Sequence, residues 1–181
     1  MFWHARLFFP SETVSMNPNA SAIWVGGLRH GKGVVTTGSG SLSQSQYLAA
    51  GDARRRGTNP YELIAAAHAA CFSVALANEL AVAGLTQARI NTTATVTMEH
   101  LSEGWTIIGI QLDVLAEAPR AKQSAFIEAA VSAKTNCTIS RLLKTNISMS
   151  AKLDNSGTAT PKARRRMDSL KVSKTKKQSI G

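Results

Sequence analysis

The sequence has 181 residues, of which 44% are hydrophobic, and a formal net charge of +10. This length suits one folded domain with a buried core. Two cysteines are too few for a disulfide-stapled secreted scaffold, and no spacing of Cys and His matches a zinc site. No run approaches the ~20 consecutive apolar residues that span a bilayer. We therefore expect a protein without a membrane segment in a reducing, cytoplasmic setting.

Both ends of the chain differ in composition from the middle. Residues 154–181 contain eight Lys and Arg residues against two Asp residues and few apolar ones, which predicts a disordered basic tail. Nucleic acid is not an expected partner, except for weak contacts of polyanions with this tail. Residues 1–15 lack a signal-peptide core, because Pro10 and Glu12 interrupt the apolar run. We expect a disordered extension over 1–15 and one folded domain over 16–153.

The predicted elements begin with three short strands, around 22–27, 33–38 and 42–47, separated by glycines that favour turns. A long helix follows, because Pro60 suits a first helical turn and Gly84 suits a helix end. Apolar or small residues cover nearly its whole circumference, so it must be buried. One modest sheet covers one side of such a helix. We therefore expect the other side to pack against a second copy of the chain, in a homodimer.

The second half of the chain alternates apolar and polar residues over 89–98 and 105–114, which predicts a hairpin. Apolar residues at helical spacing follow over 121–136, which predicts a helix. A short helix over 138–144 and a last strand over 146–153 are predicted after it. Strands grouped around helices without strict alternation predict an α+β fold.

The two cysteines lie in different local settings. Cys71 lies in the middle of the long helix, where a free cysteine often serves as a small core residue. His68 lies one turn before it, and a lone histidine on a mostly apolar helix is more often a hydrogen-bonded core residue than a base. Cys137 closes one predicted helix and precedes another, where backbone N–H groups stabilise a thiolate. Simple packing would also explain Cys137. The sequence leaves open whether the two thiols meet.

The string GTNPYELIAAAHAACFSVALANEL, together with AKTNCTISRLLK, resembles the family of osmotically inducible (OsmC) and organic-hydroperoxide-resistance (Ohr) proteins. WVGGLRHGKGVVTTGSGSL, HAACFS and NISMSAKL are most similar to the OsmC branch. The resemblance extends over about Ala22 to Leu153 and includes both cysteines.

The resemblance implies an intertwined homodimer with antiparallel sheets around two long buried helices. It also implies a thiol-dependent peroxidase of oxidative and osmotic stress defence, with Cys71 as the peroxidatic thiol and Cys137 as the resolving thiol. Organic hydroperoxides are the implied substrates. No bound cofactor is implied, and the implied reductant is an external dithiol such as a dihydrolipoyl protein.

The chain departs from the family pattern around the first thiol. Burial raises the pKa of a mid-helix thiol, so a nearby cation is expected. The family uses an arginine before the GTNP motif, and Arg54 is the first candidate, with Arg55 and Arg56 as alternatives. Where the family has the glutamate that orients this arginine, the chain has Tyr61, and Glu62 follows one residue later.

Two consequences follow from these departures. Thr138 stands where the family often has proline, and we expect it to help cap the short helix. Because the arginine and its acid are altered, the alternative function is a noncatalytic dimer of the same fold that binds small molecules or lipids.

Overall fold

The computed structural model describes residues 15–49, 57–85, 89–118 and 121–155. The predicted extension and tail lie almost wholly outside these ranges, as do Arg54, Arg55 and Arg56, so the predicted domain boundaries stay predictions. The chain divides into two compact units, residues 1–60 and 61–181.

The first unit contains a three-stranded antiparallel sheet in the order β1-β2-β3, formed by β1 (Ala20–Val25), β2 (Lys32–Thr37) and β3 (Ser45–Tyr47). Two glycines, one just before β2 and one within it, leave room for aromatic rings. A Cβ at Gly31 would come within 2.5 Å of the Trp24 ring, and one at Gly33 within 2.4 Å of the Tyr47 ring. The antiparallel pairing of three consecutive strands confirms the predicted meander.

The second unit contains the remaining elements, the first of which starts at the boundary between the units. They are α1 (Pro60–Val82), β4 (Arg89–Leu101), β5 (Gly104–Glu117), α2 (Gln123–Asn136), α3 (Thr138–Leu142) and β6 (Asn146–Asp154). All six were predicted, with strand ends extended by a few residues and α3 two residues shorter. Gly84 has a φ of +79°, which a glycine adopts without strain just after the end of α1.

The second sheet has the order β4-β5-β6. β4 and β5 are antiparallel, whereas β6 runs parallel to β5. The expectation of antiparallel sheets was therefore wrong for this one pair. The chain leaves β5, passes through α2 and α3 and returns along the same direction, and parallel neighbours require such a crossover.

The core of the second unit lies between this sheet and its helices. Alternate residues of β5 point inward, so Leu112, Val114 and Ala116 are buried while Asp113 is exposed. These side chains cluster with one stripe of α1 and with buried residues of α2.

α1 is covered along only one stripe in the single chain. Its buried residues recur every four positions, which places them on one face: His68, Phe72, Leu76 and Leu80. Val74 and Val82 are 72% and 79% exposed. One side of α1 is thus covered within one copy, and the other side, which the sequence predicts to pack against a second copy, is exposed.

α1 is also the one described helix that is long and apolar enough to cross a membrane, by length and composition alone. Counting consecutive apolar residues missed it because polar residues interrupt the run. Its stripe packs into the core cluster beside the sheet, as the core helix of a globular fold does.

Candidate active site

Cys71 lies on α1, and its side chain is half-buried beside the core cluster. It faces the point where α2 ends and α3 begins. Its sulfur interacts with the side chain of Cys137 and with the first residues of α3, Thr138 and Ile139. The structure therefore brings together the two thiols that the sequence left 66 positions apart.

Cys137 connects the two helices. Its backbone N–H donates to the carbonyl of Ala133 at 2.8 Å at the end of α2, and its carbonyl accepts from the N–H of Arg141 at 3.0 Å in α3. Only 1% of its surface is exposed, and both cysteines are free thiols. The backbone on both sides thus holds the Cys137 side chain in the interior, against Cys71.

The pKa of Cys71 is lowered on balance. Burial raises it, and this largest contribution is outweighed by hydrogen bonds from the Ile139 backbone, the Cys137 side chain, and the backbone and side chain of Thr138. The expectation of a raised pKa for this thiol was wrong. Position on α1 alone predicted a raised pKa, but the donors belong to another helix that the fold brings to Cys71.

Thr138 does not cap α3. The N-cap residue is Cys137, and no side-chain hydrogen bond caps the helix. Thr138 occupies the first helical position, and its hydroxyl interacts with the sulfur of Cys71. The expected cap was wrong because the helix begins one residue after Cys137, which leaves the Thr138 side chain to face the thiol.

His68 is fully buried, and its Nε2 lies 2.8 Å from the Oγ of Ser140 on α3. This agrees with the interpretation of His68 as a hydrogen-bonded core residue. Burial lowers its pKa, so the ring is neutral at pH 7. Ser140 was not singled out from the sequence, because nothing in its local pattern indicates a long-range partner.

Tyr61 and Glu62 occupy the first turn of α1, where Tyr61 is half-buried and Glu62 is exposed. At ~100° per residue, Tyr61 lies about 80° around the helix from Cys71, and Glu62 about 180°. Glu62 is therefore on the opposite side from the thiol. Arg54, Arg55 and Arg56, the candidates for the cation beside Cys71, lie outside the described residues.

The described residues contain no group of three or more His, Cys, Asp or Glu side chains that could hold a metal ion. The chemical capacity of the region rests on the thiol pair and on the amide and hydroxyl groups around it.

Comparisons with known proteins identify the family of the chain. Residues 51–152 match the model of the OsmC-like protein family. Peroxiredoxin OsmC of Escherichia coli is 38% identical over 141 residues, which is 77% of this chain and 99% of that protein. Peroxiredoxin OsmC of Shigella flexneri matches equally.

Solved structures show the same fold. An organic hydroperoxide resistance protein OsmC from Legionella pneumophila aligns with a TM-score of 0.59 and 23% identity, over 78% of this chain and 99% of that one. The organic hydroperoxide resistance protein OhrB of Bacillus subtilis aligns with a TM-score of 0.55 and 21% identity, over 75% and 98%.

Fold, thiol pair and relatives together define an enzyme of the peroxiredoxin-type peroxidase class. Within that class, the chain belongs to the OsmC-like protein family.

Proposed function

We propose that the chain reduces organic hydroperoxides to alcohols, with Cys71 as the attacking thiol and Cys137 as the resolving thiol. The single observation that supports this most is the Cys71 sulfur. Cys71 is half-buried, its pKa is lowered, and its sulfur interacts with the side chain of a second, buried cysteine. A core cysteine that only fills space needs none of these features.

The reaction begins when the Cys71 thiolate attacks one oxygen of the hydroperoxide. The O–O bond breaks, the alkoxide takes a proton and leaves as the alcohol, and Cys71 becomes a sulfenic acid. The sulfur of Cys137 then attacks this sulfenic sulfur and expels water, which forms a Cys71–Cys137 disulfide. An external dithiol restores both thiols by exchange and is itself oxidised to a disulfide.

The difference in exposure between the two thiols supports this assignment of roles. Cys71 is half-buried, so a small oxidant can reach it, whereas Cys137 is 1% exposed. A buried thiol that already interacts with Cys71 needs little movement to attack it after oxidation. Burial also shields Cys137 from direct attack by peroxide.

An organic substrate suits the surroundings better than hydrogen peroxide. The apolar side chain of Leu142, on the same short helix as Thr138 and Ile139, is 70% exposed in the single chain. Contact with such surface stabilises the alkyl part of a hydroperoxide by roughly 25 cal/mol per Å² of apolar area buried. Hydrogen peroxide has no apolar part and gains nothing.

A homodimer is part of the proposal, because α1 is apolar around its circumference and is covered along one stripe only. A second copy would cover the exposed valines and bring more apolar surface to the region of Cys71.

The roles of the residues before Cys71 remain part of the proposal as well. Tyr61, on the same half of α1 as the thiol, takes the position of the family's acidic residue, and Glu62 is a poor substitute because it lies on the far side. Arg54 is the first candidate for the cation, with Arg55 and Arg56 as alternatives. Separate replacement of each arginine by Met should lower the rate for one of them only.

The physiological setting that we propose is the cytoplasm, where reducing conditions keep both thiols free and supply a dithiol such as a dihydrolipoyl protein.

The test is consumption of cumene hydroperoxide with dihydrolipoamide as the dithiol. Wild type should consume the peroxide catalytically, and Cys71→Ser should fall to the rate of the dithiol alone. Cys71→Ser is a close match in size, so a folded variant isolates the sulfur. Wild type at the rate of the dithiol blank would instead indicate a noncatalytic dimer.

A further inference from the structure

His68 is an exception in the core stripe of α1. Its three stripe neighbours are apolar, whereas His68 is a polar residue with none of its surface exposed. Its Nε2 has a partner in Ser140, but within the described part of the chain Nδ1 has no hydrogen-bond partner. A buried polar atom without a partner is destabilising. An apolar residue would therefore stabilise the core more, which indicates that the ring serves another purpose.

The position of this ring relates it to the thiol pair. His68 precedes Cys71 by three residues on α1, which places both side chains on neighbouring parts of one helix face. Ser140 follows Cys137 by three residues and lies next to Ile139, whose backbone interacts with the Cys71 sulfur. The His68–Ser140 bond thus connects the same two helices one turn away from the thiols.

α3 needs such a connection, because it has only five residues. At its two ends, the Arg141 N–H donates to the Cys137 carbonyl and the Leu143 N–H donates to the Ile139 carbonyl. A helix this short is unstable by itself, since nucleation is costly and few bonds offset it. Its orientation, and therefore the direction of its first N–H groups, depends on contacts with the rest of the unit.

We propose that His68 is a positioning residue whose hydrogen bond to Ser140 holds the first turn of α3 against the Cys71 thiol. The neutral ring has one N–H, and Nε2 either donates it to Ser140 Oγ or accepts from that hydroxyl. Either form makes the same link between α1 and α3. The inference rests on the proposed function only in taking Cys71 as the reacting thiol.

The experiment measures the pH dependence of Cys71 alkylation by iodoacetamide, with peptide mass spectrometry to separate Cys71 from Cys137. Ser140→Ala removes the bond with little change in volume, and His68→Leu removes it from the other side. Both should move the midpoint upward by roughly one pH unit, which corresponds to about tenfold slower alkylation well below the midpoint.

Two further variants separate positioning from general loosening. His68→Gln places an amide near the position of Nε2 and should keep the wild-type midpoint. Ser73→Ala, also on α1, removes a hydroxyl that donates to the Ala69 carbonyl at 2.8 Å and lies 2.8 Å from the Thr92 hydroxyl. Neither of these partners lies on α3, so the variant should leave the midpoint unchanged.

Ser140→Ala decides the question if His68→Leu fails to fold. An unchanged midpoint in Ser140→Ala overturns the proposal, as does an equal shift in Ser73→Ala. An equal shift in His68→Gln and His68→Leu also contradicts it, because packing rather than the bond would then position α3. Alkylation needs no peroxide, so a wild type that fails to reduce peroxide would refute the proposed function and leave this result intact.

Discussion

Replacement of Cys137 by Ala and by Ser separates two roles of this side chain. In the structure it interacts with the Cys71 sulfur and is 1% exposed. Serine keeps a hydrogen-bond donor, whereas alanine removes it. Neither variant can form the disulfide. We therefore expect both to lose resolution, and only Cys137→Ala to change the reactivity of Cys71.

The expected change in the pKa of Cys71 follows from the strength of the hydrogen bond that the Cys137 side chain makes to its sulfur. A bond to a charged group contributes about 1.5–3 kcal/mol, and one pKa unit corresponds to about 1.4 kcal/mol. Cys71 is partly exposed and keeps its other donors, so we expect Cys137→Ala to raise its pKa by about one unit at most. Its alkylation at pH 7 would then slow by up to about tenfold. Loss of the buried sulfur should cost roughly 1 kcal/mol of folding free energy.

The assay for resolution is peroxide consumption by each variant in the absence of a dithiol, followed by excess peroxide. Each variant should consume about one equivalent and form a sulfenic acid that dimedone traps. Excess peroxide should then drive Cys71 to the sulfinic acid, because no second thiol intercepts it. Catalytic turnover with a dithiol at the wild-type rate, without this overoxidation, would refute the role of Cys137.

Four further predictions concern stability, assembly and rate. The free energy of unfolding, from urea titrations, should fall as pH drops below about 6.5, because burial lowers the pKa of His68 and the unfolded chain then binds the extra proton. Leu76→Ala should destabilise the fold by about 2–5 kcal/mol, since the side chain is fully buried, as measured by the same titrations. Val74→Asp should dissociate the proposed homodimer in sedimentation experiments, because Val74 is 72% exposed in the single chain and a dimer would bury it. Tyr61→Glu should raise the rate of peroxide reduction by restoring the acid of the family pattern.

Each of these has a matched control or a contradicting result. His68→Gln should flatten the acid dependence, and an unchanged slope would assign it to another group. A loss below 1 kcal/mol for Leu76→Ala would contradict its place in the core. Thr95→Asp puts the same charge on the exposed face of β4 and should leave assembly intact. An unchanged or lower rate for Tyr61→Glu would mean that Tyr61 is adapted to its position.

Periodicity predicted the elements because each depends on local pattern. The alternation in β5 and the helical spacing in α2 identify strand and helix without knowledge of their neighbours. The direction of β6 was missed, since the alternation of a strand is the same in parallel and antiparallel pairs. The cover of α1 on one side only was predicted from its apolar circumference, but the residues of the covered stripe were not, because composition shows that a helix is apolar but not which face packs on the core.

The two thiols of the site could be predicted from the sequence, whereas the groups that surround them could not. Cys71 and Cys137 carry recognisable flanking sequences. The amides of α3, the Thr138 hydroxyl and the His68–Ser140 bond arise from long-range packing, and no local signal gives them. The lowered pKa of Cys71 was missed for this reason.

The most direct test of the central claim is to treat the reduced protein with one equivalent of cumene hydroperoxide and map its peptides without reduction. We predict an intramolecular Cys71–Cys137 disulfide formed together with one equivalent of alcohol, and its loss after addition of dihydrolipoamide. Oxidation of Cys71 to sulfinic acid while Cys137 stays a free thiol, or no oxidation of either residue, would contradict the account.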